Sequence, residues 1–395
     1  MALGDVRVLD LTRVIAGPFC TTLLADLGAE VIKVELPGRG DDARYGYPKI
    51  KDVPVMFLAM NRNKKGITLD IRKPEGKDIL RRLVAHCDIL VENFAPGTMD
   101  EWGVGFQSLQ PLNPRLIYAA LSGFGQSGPY ARRTSYDIIA QAMGGLMALT
   151  GFEDGPPVRG GGSLGDFIGG TFLAVAILAA LHHRDRTGQG QFVDVSNMDA
   201  IFSMLDGWPT IHALSGRMPP RLGNRHPFTA PYDCYAAKDG YLVIGVGNSQ
   251  LFAQLVAAMG KPELARDPRF KSSRGRLERH AEINSIVGDW VAQHTVDEVM
   301  DILGPNGANV PCAPVMTVDR LIRDPQIQAR EMLVEVEHPS AGPIPVWGVP
   351  FKLSATPGHL RHLGPELGQH TDEVLKGLLG LGDQELNHLR SQQVI

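Results

Sequence analysis

The stretch that decides how this chain folds is residues 6–35: Val6-Arg7-Val8-Leu9-Asp10-Leu11, then Thr12-Arg13-Val14-Ile15-Ala16-Gly17-Pro18, the run 19–27, Gly28-Ala29-Glu30, and Val31-Ile32-Lys33-Val34-Glu35. Its first and last pieces are short, nearly continuous apolar runs, as expected for strands buried on both faces, and the middle piece has the length of a helix. Strand, helix and strand with short connections predict a parallel sheet, since parallel neighbours need a crossover between them. No GxGxxG follows the first strand, which disfavours a dinucleotide cofactor.

The pattern recurs downstream. Residues 66–71 read as a strand, 74–87 as an amphipathic helix with Pro74 at its start, and 88–92 and 116–121 as further strands. Ligands of open α/β sheets bind outside the carboxyl ends of the strands. The turns 14–18, 36–44 and 93–97 and the loop 123–130 all fall there. Residues 136–149 are predicted as a helix, 151–162 as a loop, 171–181 as a buried helix, 192–195 as a strand and 198–205 as a helix. Periodicity is lost between 215 and 231, where Pro, Gly and Arg dominate as at a domain crossing. A second unit starts near 232, and the last section carries β-like segments near 331–338 and 350–353 and helices over 371–379 and 384–392.

With 395 residues, 44% hydrophobic and 21% charged, the chain can bury a substantial core in two domains. Its formal net charge of −4 supplies no global basic field, so nucleic acid is not an expected partner. The cysteines Cys20, Cys87, Cys234 and Cys312 are scattered without CxxC or metal-ligand spacing, so no metal is expected and the thiols read as reduced in a cytoplasmic protein. No apolar run is seen to reach the ~20 residues of a bilayer span, so no membrane partner is expected.

Ser163-Leu164-Gly165-Asp166-Phe167-Ile168-Gly169-Gly170 follows Gly160-Gly161-Gly162 and leads into the apolar segment. A carboxylate among small residues at a helix mouth sits where backbone can approach a ligand closely and N–H groups point outward. Asp166 alone reads first as a helix N-cap and second as a reactive carboxylate. On the same footing Arg39 and Arg72 read as surface charges, Asn93 as a turn former, and Asp137 as an ion-pair partner of Arg13 or Arg132.

Eight stretches then occur together in one order: LDLTRVIAGPF (9–19), LGAEVIKVELPGRGD (27–41), NRNKKGITLDI (61–71), VENFAPG (91–97), GFGQSGPYA (123–131), YDIIAQAMGGLMALTG (136–151), GDFIGG (165–170) and LGQHTDEVL (367–375). On these the chain resembles the class III coenzyme A transferases over nearly its whole length. The resemblance implies an α/β fold: a Rossmann-like parallel-sheet large domain built from 1–215 and the returning segment 326–395, a smaller α/β domain over 225–325, and an interlocked ring-like homodimer. It implies that Asp166, in the GD motif, is the catalytic residue. CoA contacts are implied at Val14, Ile15 and Ala16, at Leu69 and Arg72, and at Asn93 and Phe94. Leu36 and Glu101 stand where the formyl-CoA enzyme carries basic residues, so the phosphates are expected at Arg39, Arg132 or Arg133, with Asp137 positioning the ligand.

The chemistry so implied moves CoA between carboxylic acids, with CoA or acyl-CoA as substrate and no tightly bound cofactor. A protein carboxylate attacks a thioester to give a mixed anhydride, then carries CoA itself as a thioester. Each step passes through an oxyanion, for which backbone N–H groups at Gly165, Gly169, Gly170, Ile15 and Ala16 are the expected donors. Arg44 and Arg159 offer bidentate forks for the distal carboxylate of a dicarboxylic acid, which points to succinyl-CoA as donor. Tyr136 is expected at the substrate. The related racemases carry His at that position, and a phenol with an unperturbed pKa of ~10 is a weak base for their proton transfer. A racemase and a non-catalytic acyl-CoA-binding protein are the competing readings.

Overall fold

The computed structural model describes residues 1–46, 48–50, 52–339 and 341–395. It divides into one compact unit of Met1–Met147, Arg159–Gly216 and Pro325–Ile395 and another of Ala148–Val158 and Arg217–Asp324. The segment Ala148–Val158, assigned to the N-terminal body on sequence grounds, groups with the second unit because Gly151 O accepts the Gly223 N–H at 2.8 Å and Gly155 O accepts Arg221 Nη2 at 2.6 Å.

The first unit is built on six strands, β1 (Arg7–Asp10), β2 (Glu30–Glu35), β3 (Lys64–Thr68), β4 (Ile89–Glu92), β5 (Ile117–Ser122) and β6 (Phe192–Ser196). Their order is β3-β2-β1-β4-β5-β6 and every neighbouring pair is parallel. This is the doubly wound order, with the reversal between β1 and β4. Successive residues point to opposite faces, so Val8, Val31, Ile89 and Ile117 enter one core while Leu9, Ile32, Leu90 and Tyr118 enter the other. Burial on both faces is why these strands read as continuous apolar runs.

Helices α1 (Ala16–Asp26) and α4 (Leu164–Thr187) cover the first face through Leu24, Ile177 and Leu181. Helix α2 (Pro74–Val84) and the carboxyl-terminal helices Thr371–Leu379 and Asp383–Ser391 cover the second through Leu80, Val374 and Leu386. The predicted helix over 136–149 is α3 (Asp137–Met143) plus a short turn, Leu146–Leu149, interrupted where Gly145 takes φ 92°. Helix α5 (Asn197–Phe202) leaves β6 directly.

Two elements beside the sheet's centre differ from expectation. The strand predicted over 66–71 starts earlier, at Lys64, because that lysine is fully buried and its Nζ donates to Asp10, Thr21, Asn61 and the Pro18 carbonyl. The helix predicted over 171–181 is a 24-residue element, long and apolar enough by composition to cross a membrane, with mean hydropathy 2.0 over its most apolar 18 residues. Its Leu173, Ala174, Ile177, Ala180 and Leu181 are buried against α1 and the sheet, the packing of a core helix.

In the second unit the strands Tyr232–Ala236, Tyr241–Gly245 and Cys312–Pro314 form an antiparallel sheet. Its core gathers Leu242, Ile244, Phe252, Leu255, Val287 and Val299. Asn248 caps the helix Ser249–Ala258 by accepting the Leu251 N–H, so residues 245–248 form a strand-to-helix turn.

Candidate active site

The connections leaving β1, β2, β3 and β4 enclose a cleft of about 350 Å³ on the carboxyl edge of the sheet. A neighbouring cavity of about 300 Å³ shares Arg13 and Asp42 with it and adds Val14, Ile15, Asn93, Tyr136, Asp166 and Asn197. The two make one groove astride the strand reversal, the place where open α/β sheets bind ligands.

The turn after β1 is held from several sides. Asn93 Oδ1 accepts the Arg13 N–H and Asn93 Nδ2 donates to Arg13 O, both at 2.9 Å, which ties the β1 turn to the β4 turn. Lys33 Nζ, fully buried, donates to Thr12 O and to Asp41 Oδ2, and Asp41 Oδ1 accepts the Val14 N–H at 3.0 Å. Burial alone would raise the Asp41 carboxyl, but Lys33 and the Ala43 and Val14 N–H groups hold it below its ordinary value. Val14 has φ 68°, a conformation that costs a β-branched residue about 1–3 kcal/mol and persists only where the surroundings impose it. The strained turn sets the start of α1, whose N-cap, Ile15, makes no side-chain cap bond.

Asp166 occupies the first turn of α4, three residues past the N-cap Ser163, so it is not the cap. Partly buried, its carboxyl is pushed up to about 6 by burial, with Asp137 adding to the rise and the hydrogen bond from Asn197 Nδ2 (3.1 Å) opposing it. Asp137 itself pairs with neither Arg13 nor Arg132. It lies behind the groove, 9% exposed, and accepts the Gly165 N–H at 2.8 Å and Gln141 Nε2 at 2.9 Å, while Gln141 Oε1 takes the Gly160 N–H at 2.9 Å. This relay fixes the glycine loop and the helix start together. The Gly165 N–H is therefore committed, and Gly169 and Gly170 lie inside a helix whose N–H groups bond internally. Those two glycines serve packing: a Cβ at Gly170 would stand 2.5 Å from Ala16 O, and one at Gly169 2.0 Å from Asn197 Oδ1.

The residues singled out on sequence grounds divide into three groups. Val14, Ile15, Ala16, Asn93, Tyr136 and Asp166 line the smaller cavity, with Tyr136 75% exposed at its rim. Arg39, Leu69, Arg72 and Phe94 line the larger cleft, Arg39 pairing with Asp42 at 2.9 Å and Arg72 with Asp70 at 2.7 Å, both with heads largely in solvent. Phe94 packs edge-on against Trp102, with the Arg13 guanidinium 5.5 Å from its ring centre. The remaining four, Arg132, Asp137, Arg44 and Arg159, line neither cavity. Arg132 borders a separate pocket beside Glu92 and Tyr118. Arg44 forms a bidentate pair with Glu35 at 2.6–2.7 Å, donates to Pro365 O and stacks on Phe57, which removes it as a carboxylate receptor. Arg159 donates to the carbonyls of Gly160 and Gly162 and so braces its own loop.

Sequence reasoning missed Arg13, Asp41 and Asn197. Arg13 and Asp41 had a signal, standing inside the quoted stretches 9–19 and 27–41; Asn197 acts through a contact distant along the chain.

A model of CoA-transferase family III matches residues 3–371. The chain is 43% identical over 395 residues to the succinyl-CoA–D-citramalate CoA-transferase of Chloroflexus aurantiacus, spanning 100% of this chain and 98% of that one. It is 38% identical over 394 residues to the succinyl-CoA:glutarate CoA-transferase of Mus musculus, spanning 100% and 90% respectively. The crystal structure of a CAIB/BAIF family protein from Brucella suis superposes with a TM-score of 0.84 at 36% identity, covering 94% of this chain and 98% of that one. With the parallel sheet and the groove at its reversal, these likenesses establish that the chain belongs to CoA-transferase family III and is a CoA-transferase.

Proposed function

We propose that the enzyme moves CoA from succinyl-CoA or another dicarboxylyl-CoA to a free carboxylic acid through covalent intermediates on Asp166. The observation that carries this reading is the part-buried Asp166 carboxylate, which among the described residues accepts one hydrogen bond, in a cavity that shares Arg13 and Asp42 with the cleft at the strand reversal. A carboxylate relieved of most of its solvation is a stronger nucleophile than one in water. Its pKa of about 6 leaves it ionised at neutral pH.

Asp166 attacks the thioester carbonyl and expels CoA thiolate, giving a mixed anhydride. The thiolate then adds to the Asp166 carboxyl carbon and the donor acid leaves. The acceptor carboxylate repeats the sequence in reverse, so no net proton, oxidant or reductant is needed. CoA lies along the larger cleft, its phosphates on Arg39, Arg72 and Arg13 and its pantetheine arm passing the strained Val14 turn. Relatives that act on succinyl-CoA with D-citramalate or with glutarate support a dicarboxylate acceptor of succinate, glutarate, malate or mesaconate type.

A cytoplasmic homodimer completes the proposal. Phe172, Val175 and Leu178 leave an exposed apolar stripe at helical spacing on α4, which a second copy of the chain would cover.

The test offers a panel of acyl-CoA donors and free acids, oxalate included, reads the CoA products by mass spectrometry, and weighs the intact protein for an adduct at Asp166. Asp166→Ala is expected to abolish exchange and retain CoA binding. Exchange that survives the substitution refutes the covalent mechanism, and α-deuterium exchange without CoA transfer would assign racemase chemistry instead.

A further inference from the structure

Asn197 carries an inference that deepens, and rests on, the assignment of Asp166 as nucleophile. It is the first residue of α5, at the carboxyl end of β6, and is 7% exposed. Its Nδ2 donates to Asp166 Oδ1 at 3.1 Å, while its own Oδ1 is buried with no hydrogen-bond partner. Among the described residues, Asp166 Oδ2 accepts no bond. An unsatisfied buried amide oxygen is costly, and a fold keeps one where something offsets it. The helix is also hollowed to admit this side chain, because any Cβ at Gly169 would stand 2.0 Å from Asn197 Oδ1. A leucine in place of Asn197 would fill the same space without the orphaned oxygen. What it would lack is a donor aimed at one particular oxygen of the nucleophile.

We propose that Asn197 is a second catalytic residue, whose Nδ2 binds the oxyanion formed on Asp166 Oδ1 each time a nucleophile adds to the Asp166 carboxyl carbon. Oδ2 is the oxygen left free to attack the donor thioester. In the resulting anhydride Oδ2 bridges to the acyl group and Oδ1 is the aspartyl carbonyl. When CoA thiolate adds to the carboxyl carbon, the C–S bond forms and the π electrons move onto Oδ1, against the waiting N–H. Collapse restores the carbonyl, breaks the bond from carbon to Oδ2 and releases the donor acid with Oδ2. Attack of the acceptor carboxylate on the aspartyl thioester builds the same charge on the same oxygen before thiolate departs. A donor already in place costs no reorganisation at either step.

The experiment compares wild type with Asn197→Leu and Gly169→Ala, using succinyl-CoA and isotopically labelled succinate. Quenched-flow intact-mass measurement follows formation and decay of the Asp166 adducts, CoA affinity is measured separately, and thermal midpoints are recorded. For Asn197→Leu the formation and decay of the aspartyl thioester are expected to slow about 100-fold, the typical loss on removing one oxyanion donor. CoA affinity is expected to be unchanged and the midpoint equal to or above that of wild type, a combination that a purely structural role would not produce. Gly169→Ala, which displaces the same amide by crowding, should slow the same steps. The proposal is overturned if Asn197→Leu keeps both rates within about threefold of wild type, or if its rate, CoA affinity and midpoint fall together. Wild type forming neither adduct nor labelled succinyl-CoA would count against the covalent reading of Asp166 instead.

Discussion

Replacing Asp166 by Asn should stabilise the protein, and only above a defined pH. The Asp166 carboxyl has an ordinary value of 3.8 and is pushed up to about 6 in the fold, chiefly by burial. Between those values the native state binds the proton more tightly than the unfolded chain, so stability falls as pH rises. Above about pH 6 the native state carries a half-buried charge whose differential cost, at 1.36 kcal/mol for each pKa unit, is about 3 kcal/mol. Only below about pH 3, under the unfolded value of 3.8, is the group largely neutral in both states, and there the cost vanishes. Asparagine keeps the shape and still accepts the bond from Asn197 Nδ2, but never ionises. Thermal unfolding of the two proteins, followed by circular dichroism from pH 3 to pH 8, should therefore give converging midpoints at the acid end. At the alkaline end the variant should lead by roughly 5 °C for a body of this size, while making no covalent adduct. A midpoint difference that stays constant with pH, or a variant less stable at pH 8, would refute the argument that the site stores an unfavourable charge for use in catalysis.

Two other variants separate structural from ligand-binding arginines. Arg44→Ala should lower stability by about 3 kcal/mol in denaturant titrations, since Glu35 is left buried without its partner, and should leave acceptor preference unaltered; a changed preference at unchanged stability would return Arg44 to the substrate site. Removing Arg39 and Arg72 together should weaken CoA about tenfold and flatten the salt dependence of its binding, measured by calorimetry at two ionic strengths. Unchanged affinity would move the phosphates elsewhere.

The sheet was legible because its strands are buried on both faces, which puts paired or longer apolar runs at their centres, Val8-Leu9, Val31-Ile32, Ile89-Leu90-Val91 and residues 117–121. What was hidden depends on contacts between distant residues. Lys64 looks like the end of a loop until Asp10, Thr21 and Asn61 gather around its ammonium. The glycines at 169 and 170 suggest a loop, yet they belong to α4, where Asn197 and Ala16 come too close for any side chain. The strand expected over 350–353 is instead Gly342–Trp347, paired with Leu333–His338, where Pro343 and Pro345 made a strand look improbable. Proline lacks only the donor and is tolerated at an edge, and this strand has one partner. The position of Asp166 at the groove was readable from its motif. Its hydrogen-bond partner was not, since nothing along the chain links 166 to 197.

The amide N–H of Asp70, just past β3, donates to Val394 O at 2.7 Å, and Val394 and Ile395 are buried in the same core as Leu9, Ile32 and Leu90. During synthesis the sheet-forming residues are thus finished long before the segment that shields one of their faces leaves the ribosome, and a whole second unit is made in between. Over that interval the half-covered sheet is open to wrong partners, and chaperone demand should track the delay before residues 371–395 dock. The second unit, whose core draws on residues 230–312, is free to fold while the first still waits.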